Sequence, residues 1–227
     1  MGVVVPIVLF LALAALVLIA PRADAYRARH RSRAIVRELA TGHDFRARPD
    51  FALGRLPLAG PPFHYGTART LSEQASGAVD GLTVTVAGYS CRDNGSTHGY
   101  GLALVSLPEP SARIEVRHEP AFHSTLVVEP VPGGRVHTGV APFDARYEVY
   151  VSDSHGKRTG LSVADTEALL AGPEPFSWRV HGRDVMLWRP DGWSSAGELL
   201  SSVRVTVSVL RPDRDAMTTV RAERPDR

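Results

Sequence analysis

Residues 82–107 read LTVTVAGYSCRDNGSTHGYGLALVSL, and this stretch decides the fold. Its left part, 82–90, is rich in β-branched residues and alternates in polarity, and its right part, 100–107, is equally strand-like. Alternation with a period of two is typical of a strand that buries one face. Between the two parts stands Asn94-Gly95, and both residues accept the positive φ of a tight hairpin turn. The stretch therefore predicts two antiparallel strands joined by a short turn.

The predicted turn also fixes which residues face each other across the hairpin. If Asn94 and Gly95 are the central turn residues, Asp93 opposes Ser96 and Cys91 opposes His98. A reactive thiol needs a nearby base or cation, so Cys91 and His98 are the candidate catalytic residues. The competing interpretation is a hairpin tip without chemistry, and it explains every glycine and polar residue of the stretch.

Further strands are predicted in the rest of the chain. The candidates are residues 112–119, 124–131 and 146–153, together with a hairpin over 178–190, WRVHGRDVMLWRP. Trp178 and Trp188 flank the polar turn of that hairpin and are predicted to meet as a cross-strand aromatic pair in the core. Residues 43–66 contain four prolines, which indicates a loop with at most one short strand.

Three segments have the periodicity or the capping signals of helices. Residues 27–41 carry a short apolar stripe that ends before Gly42. Ser162 and Asp165 form a capping-box pattern in front of a helix that ends near residue 170. Ser195 starts a third helix, which we expect to continue to Val203, because the alternating valines beyond it favour a strand.

The N-terminus is predicted to cross a membrane. Residues 2–20 contain no charged side chain, and about 20 apolar residues span the hydrocarbon core as a helix. Residues 23–25, Ala-Asp-Ala, fit a signal-peptide cleavage pattern, but no basic residue precedes the apolar run. Basic residues follow the run, and such residues stay in the cytoplasm. The sequence predicts a retained single-pass anchor with a cytoplasmic domain, and an exported envelope protein if the topology is reversed.

Together these patterns predict an α+β fold class. It consists of an N-terminal transmembrane helix followed by one mainly antiparallel β-sheet domain with two or three helices. The predicted organisation is a transmembrane anchor over 2–20, a basic juxtamembrane helix over 21–41, a soluble domain over 42–210 and a disordered polar tail over 211–227.

A cluster of arginines follows the apolar run directly. Anionic lipid attracts such side chains at about 1 kcal/mol each. Lipid contact explains the cluster without a nucleic-acid partner. The residues predicted to lie at the membrane surface are Arg22, Arg27, Arg29, Arg31 and Arg33.

The amino-acid composition indicates a globular protein without intramolecular disulfides. The chain has 227 residues, of which 44% are hydrophobic and 22% charged, as in globular proteins. It contains 1 cysteine, which excludes an intramolecular disulfide. The order of the segments along the chain resembles that of a set of uncharacterised actinobacterial membrane-anchored proteins. The segments are the apolar run, the basic helix, Phe143–Val149, Trp178 and residues 187–190. The resemblance implies a bacterial source and an α+β domain, and it implies no activity.

Motifs for metal, cofactor or nucleotide binding are weak or missing in this sequence. His118 and His123 are the nearest approach to a zinc pair, but they are five residues apart with Pro120 between them, whereas the zinc helix needs a spacing of four. Gly88-Tyr89-Ser90 lacks the closing glycine of a serine-hydrolase elbow. We expect no metal, no cofactor and no nucleotide.

The sequence leaves two functions open. The favoured one is a non-enzymatic binding or interaction module, whose protein partner binds at an open sheet edge or an exposed loop. The alternative is a thiol-dependent or hydrolytic enzyme that uses Cys91 with a nearby histidine.

Overall fold

The structure, a computed structural model, describes residues 26–27, 29–48, 62–63, 66–93, 95–118, 134–151, 161–172 and 174–210. These residues form nine strands and four helices. The strands are β1 (Arg46–Ala47), β2 (Thr67–Val79), β3 (Leu82–Asp93), β4 (Ser96–Ser106), β5 (Ile114–His118), β6 (Gly134–Val136), β7 (Tyr147–Val151), β8 (Ser177–His181) and β9 (Asp184–Pro190). The helices are α1 (29–42, with 26–27 also helical), α2 (Ala141–Asp144), α3 (Val163–Leu170) and α4 (Ala196–Leu210).

The nine strands form one antiparallel sheet in the order β1-β2-β3-β4-β9-β8-β5-β7-β6. Strands β2, β3 and β4 follow one another as an antiparallel meander, and β8 and β9 form a second hairpin. The pairing of β4 with β9 joins these two parts, which are far apart in the chain. Local turns therefore build these two parts, while the long-range pairings of β4 with β9, of β8 with β5 and of β5 with β7 complete the sheet.

The hairpin predicted from residues 82–107 is confirmed with its register. Asp93 pairs with Ser96 and Cys91 pairs with His98. Gly95 adopts a φ of 82°, which glycine accepts without strain. The capping box of α3 is also confirmed, because the Ser162 side chain accepts from the Asp165 amide while the Asp165 carboxylate accepts from Ser162.

Helices α1, α3 and α4 cover one side of the sheet, which we call the helix face. Alternate residues of the strands point to it and form the main core, among them Val84, Val105 and Leu187. Ile35 and Leu39 of α1 belong to the same core. Glycines in the strands let other side chains lie directly on the backbone: a Cβ at Gly77 would meet the Phe45 ring at 2.5 Å.

The other side of the sheet, which we call the aromatic face, has a smaller core. Its members come from β3, β4, β9 and residue 63. They are Phe63, Tyr89, Cys91, Tyr100, Leu102, Met186 and Trp188, all buried. Further along the same face, β5 and β8 bury charged side chains instead of apolar ones, namely Glu115, Arg117 and Arg179.

The fold class predicted from the sequence was wrong as a whole. The α+β character with a mainly antiparallel sheet is what the structure has, but the sheet carries four helices rather than two or three. None of the helices in the described residues is long and apolar enough to cross a membrane. The predicted transmembrane segment, residues 2–20, lies outside the described residues.

Several individual elements also differ from the predictions. Strand β2 was not predicted, because two register shifts interrupt its alternation and few of its residues are large and apolar. Helix α4 continues to Leu210 instead of ending near Val203, since its β-branched side chains pack on the sheet. Trp178 and Trp188 do not pair: Trp178 opposes Leu187 and Trp188 opposes Ser177, which places the two rings on opposite faces.

Two other predicted segments, the strand over 124–131 and the tail over 211–227, lie outside the described residues.

Candidate functional site

The site begins with Cys91 and His98, which the hairpin places directly opposite each other. Opposed residues of an antiparallel pair point to the same face, so both side chains lie on the aromatic face. Cys91 is 1% exposed and lies in the aromatic core, while His98 is half-buried at its margin. The predicted proximity of thiol and imidazole therefore follows from the ladder.

The surroundings of the thiol are apolar. A Cβ added at Gly66 would lie 3.2 Å from the Cys91 sulfur, so the backbone at Gly66 closes over it. Burial raises the pKa of the Cys91 thiol, and the Tyr89 hydroxyl and the Arg69 charge offset only part of that effect. Burial also raises the pKa of Tyr89 far above its usual value. Thiol and phenol are both held neutral at physiological pH, the opposite of what activates a cysteine nucleophile.

The same hairpin carries an open ladder edge that sequence reasoning missed. Strand β9 pairs with β4 only from Tyr100 to Ser106, because it ends at Pro190 opposite Tyr100. The Asp191 amide donates to the Gly99 carbonyl at 3.0 Å, so the polar groups of Gly99 point towards the β9 side. Backbone groups of alternate residues point the same way in an antiparallel ladder, and the register from Ser96 to Ser106 has no shift.

It follows that the N–H and the C=O of Thr97 point out of the hairpin on the β9 side. None of the strands in the described part of the chain lies there to receive them. Ser96 and His98 direct their backbone groups at β3 instead. This exposed part of the strand edge therefore offers one hydrogen-bond donor, the Thr97 N–H, and one acceptor, the Thr97 C=O. We call it the Thr97 edge. The proline at 190, which ends β9, is the signal in the sequence that could have located it.

A second cluster lies further along the aromatic face and joins β8, β5 and β7. Glu115 accepts from Arg117 Nε at 2.6 Å, and the Arg117 guanidinium lies 4.6 Å from the Tyr150 ring centroid. Arg179 opposes Glu115 in the ladder and lies 5.8 Å from the Trp188 ring. Burial lowers the pKa of Arg179 to about 10 despite the opposing effect of Glu115. The contacts join neighbouring strands, so this cluster is a structural element of the sheet.

Of the two weak metal-ligand candidates, His118 and His123, the described residues include only the first. His118 ends β5, with its ring 5.6 Å from that of Tyr147, and burial lowers its pKa. His123 lies outside the described residues. Over the parts of the chain that the structure places, no group of three or more histidine, cysteine or acidic side chains lies together as a metal site would require.

The predicted membrane-surface arginines have different environments. Arg22 lies outside the described residues, and the other four are exposed on α1. Arg31 Nη1 donates to the Asp191 carbonyl at 3.4 Å, and Arg33 Nε lies 2.5 Å from Glu73 Oε1. Arg29 lines a crevice above Gly88 whose volume, about 10 Å³, holds about one water molecule. This crevice is too small for a substrate.

A comparison of the chain with protein-family models, with curated proteins and with solved structures found no match in any of the three. The resemblance to actinobacterial membrane-anchored proteins therefore stays a prediction.

Proposed function

We propose that this protein is a non-enzymatic binding module and that a protein partner binds at the Thr97 edge. The partner contributes an extended segment that continues the sheet beside Ser96–His98, in the place after Pro190 where no strand of the described residues lies. Main-chain hydrogen bonds to Thr97 supply affinity in this mode of recognition, and the neighbouring side chains supply specificity.

The observation that carries this proposal is the outward direction of the Thr97 backbone groups. Strand edges invite pairing with another chain, and proteins usually cover or disrupt them. The outer strand of the meander, β2, is covered by β1 at Ala75 and Ser76. Its remaining edge is disrupted, since Ala68 and Glu73 have positive φ values at its two register shifts. The edge at Thr97 has no such interruption.

A proline at position 97 tests the proposal. Thr97→Pro removes the outward N–H and keeps the hairpin ladder, because the ladder bonds of this region belong to Ser96 and His98. Thr97→Val is the matched control, since it keeps the N–H and changes only the side chain. Each full-length variant is used as bait for affinity capture with quantitative mass spectrometry, after circular dichroism has shown equal folding.

We expect the wild type and Thr97→Val to capture the same partner protein in equal amounts. Thr97→Pro should capture about tenfold less of it, as the loss of one hydrogen bond predicts. If every recovered protein binds the three baits alike, or none is recovered, the proposal is wrong.

The thiol-dependent or hydrolytic enzyme is the second candidate, motivated by the opposition of Cys91 and His98. It requires Cys91 to react with iodoacetamide at neutral pH faster than free cysteine does. The burial of the thiol and its raised pKa lead us to expect a slower reaction. A fast reaction would favour the enzyme over the binding module.

We further propose that the domain works in the cytoplasm, as the distribution of basic residues predicts, rather than as an exported envelope protein. Alkaline phosphatase fused after residue 220 separates the two locations. The fusion should be inactive, and strong phosphatase activity would mean export.

A further inference from the structure

Helix α1 turns a basic stripe away from the domain. Its buried residues Ser32, Ile35 and Leu39 lie on one side of the helix and pack on the sheet. A helix advances 100° per residue, so residues spaced by three and four on the opposite side form a straight line. That line, with one adjoining arginine, is the α1 basic face: Tyr26, Arg27, His30, Arg33 and Arg37, all exposed.

The acidic residue of α1 does not neutralise this face. Glu38 lies on the flank towards α4, where its Oε2 accepts from the Ala196 amide at 3.1 Å. Glu73, on β2, contacts the face at its edge, through Arg33. Three arginines and a histidine therefore share one side of the helix. From His30 to Arg37 the stripe is about 10 Å long, at a rise of about 1.5 Å per residue over seven residues.

The domain holds the orientation of this face fixed. Ile35 and Leu39 anchor the helix in the core, and Arg31 and Arg33 attach its two flanks to the Asp191 carbonyl and to Glu73. A surface that meets the α1 basic face therefore meets a preformed arrangement of charges.

We propose that the α1 basic face binds an anionic lipid surface and lies parallel to it. Arginine side chains that lie close to a membrane surface attract anionic lipid headgroups. Tyr26 is 65% exposed, and its ring centroid lies 4.1 Å from that of His30 with the two planes tilted by 52°. Tyrosine is an amphipathic ring of the kind enriched at membrane interfaces. A lipid surface, unlike a nucleic acid, also accommodates the uncharged residues 2–20 that precede the helix in the sequence. This inference is independent of the Thr97 edge.

The test compares binding of the full chain to two kinds of vesicle, phosphatidylcholine alone and an equimolar mixture with phosphatidylserine. The ratio of the two partition coefficients isolates the contribution of lipid charge from that of the apolar residues. Replacing Arg27 and Arg37 together by glutamine should lower binding to the anionic vesicles about 30-fold at low salt, at about fivefold for each arginine. Added salt should reduce the difference.

Arg183→Gln is the matched control, because Arg183 is exposed in the β8–β9 turn, away from α1. It should bind both vesicles as the wild type does, and so should Thr97→Pro. The proposal is overturned if the double variant binds anionic vesicles as tightly as Arg183→Gln, or if the wild type does not distinguish the two vesicles. It is also overturned if duplex DNA displaces the protein from anionic vesicles and the same two arginines determine DNA affinity.

Discussion

Replacing Gly101 by alanine should destabilise the protein, because the helix face has no room for a methyl group there. A Cβ at Gly101 would lie 2.7 Å from Cδ1 and 2.9 Å from Nε1 of Trp193, and 3.0 Å from the Gly192 Cα. Trp193 is 1% exposed and its ring lies 5.7 Å from that of Phe176. A buried, rigid ring and a backbone atom must therefore move.

The expected size follows from two opposing contributions. Overpacking of a core costs about 1–3 kcal/mol. Alanine in place of a strand glycine recovers about 0.5–1 kcal/mol, since it reduces the freedom of the unfolded chain and Gly101 has no positive φ. The mid-range values leave a net loss of about 1 kcal/mol in the free energy of unfolding, between bounds of about 0 and 2.5 kcal/mol. A loss of about 1 kcal/mol lowers the melting temperature by about 2–4 °C for a domain of this size.

Thermal and urea denaturation followed by circular dichroism measure this loss. Gly134→Ala is the matched control, because it also changes a strand glycine and no atom of the described residues lies within 4 Å of the added Cβ. In a Trp193→Ala background the Gly101 substitution should cost less, since the clashing ring is gone. The reasoning fails if Gly101→Ala melts at or above the temperature of Gly134→Ala.

Three further predictions concern other parts of the structure. Ser162→Ala should lower the free energy of unfolding by about 0.5–2 kcal/mol in urea denaturation, because it removes the cap of α3; an unchanged midpoint would contradict this. Glu115→Ala should cost about 3–5 kcal/mol, since it deprives the buried Arg117 of its carboxylate, whereas replacing both residues by methionine should cost clearly less in the same assay. Burial lowers the pKa of His118, so the unfolded chain binds a proton at higher pH than the folded one, and stability should fall as the pH drops from about 7 to 5. His118→Gln should reduce this pH dependence of the free energy of unfolding. The same dependence in the variant and the wild type would contradict the prediction.

The sequence predicted those parts of the fold that local signals determine. Asn94-Gly95 fixed both the turn and the register of β3 and β4, because a two-residue turn leaves one way to pair the flanking residues. The same rule, applied to the turn at Gly182-Arg183, gives Trp178 opposite residue 187. The predicted pairing of Trp178 with Trp188 was therefore an avoidable error.

Elements determined by distant contacts could not be predicted. The valines of α4 favour a strand locally, and only packing of that helix on the sheet explains its length. The register shifts of β2 remove the alternation on which a strand prediction depends. For the candidate site, the opposition of Cys91 and His98 was predictable, but Gly66 over the thiol and the end of β9 beside Thr97 depend on strands remote in sequence.

The pairing of β4 with β9 has a consequence for biosynthesis. The meander of β2, β3 and β4 is complete when residue 106 has been made, but β9 begins only at residue 184. Until then, the growing chain presents the apolar stretch 101–105, Gly-Leu-Ala-Leu-Val, at a bare sheet edge, which is a template for aggregation. Premature stop codons between residues 107 and 183 should therefore produce insoluble fragments, and expression should depend on synthesis reaching β9 before neighbouring chains meet.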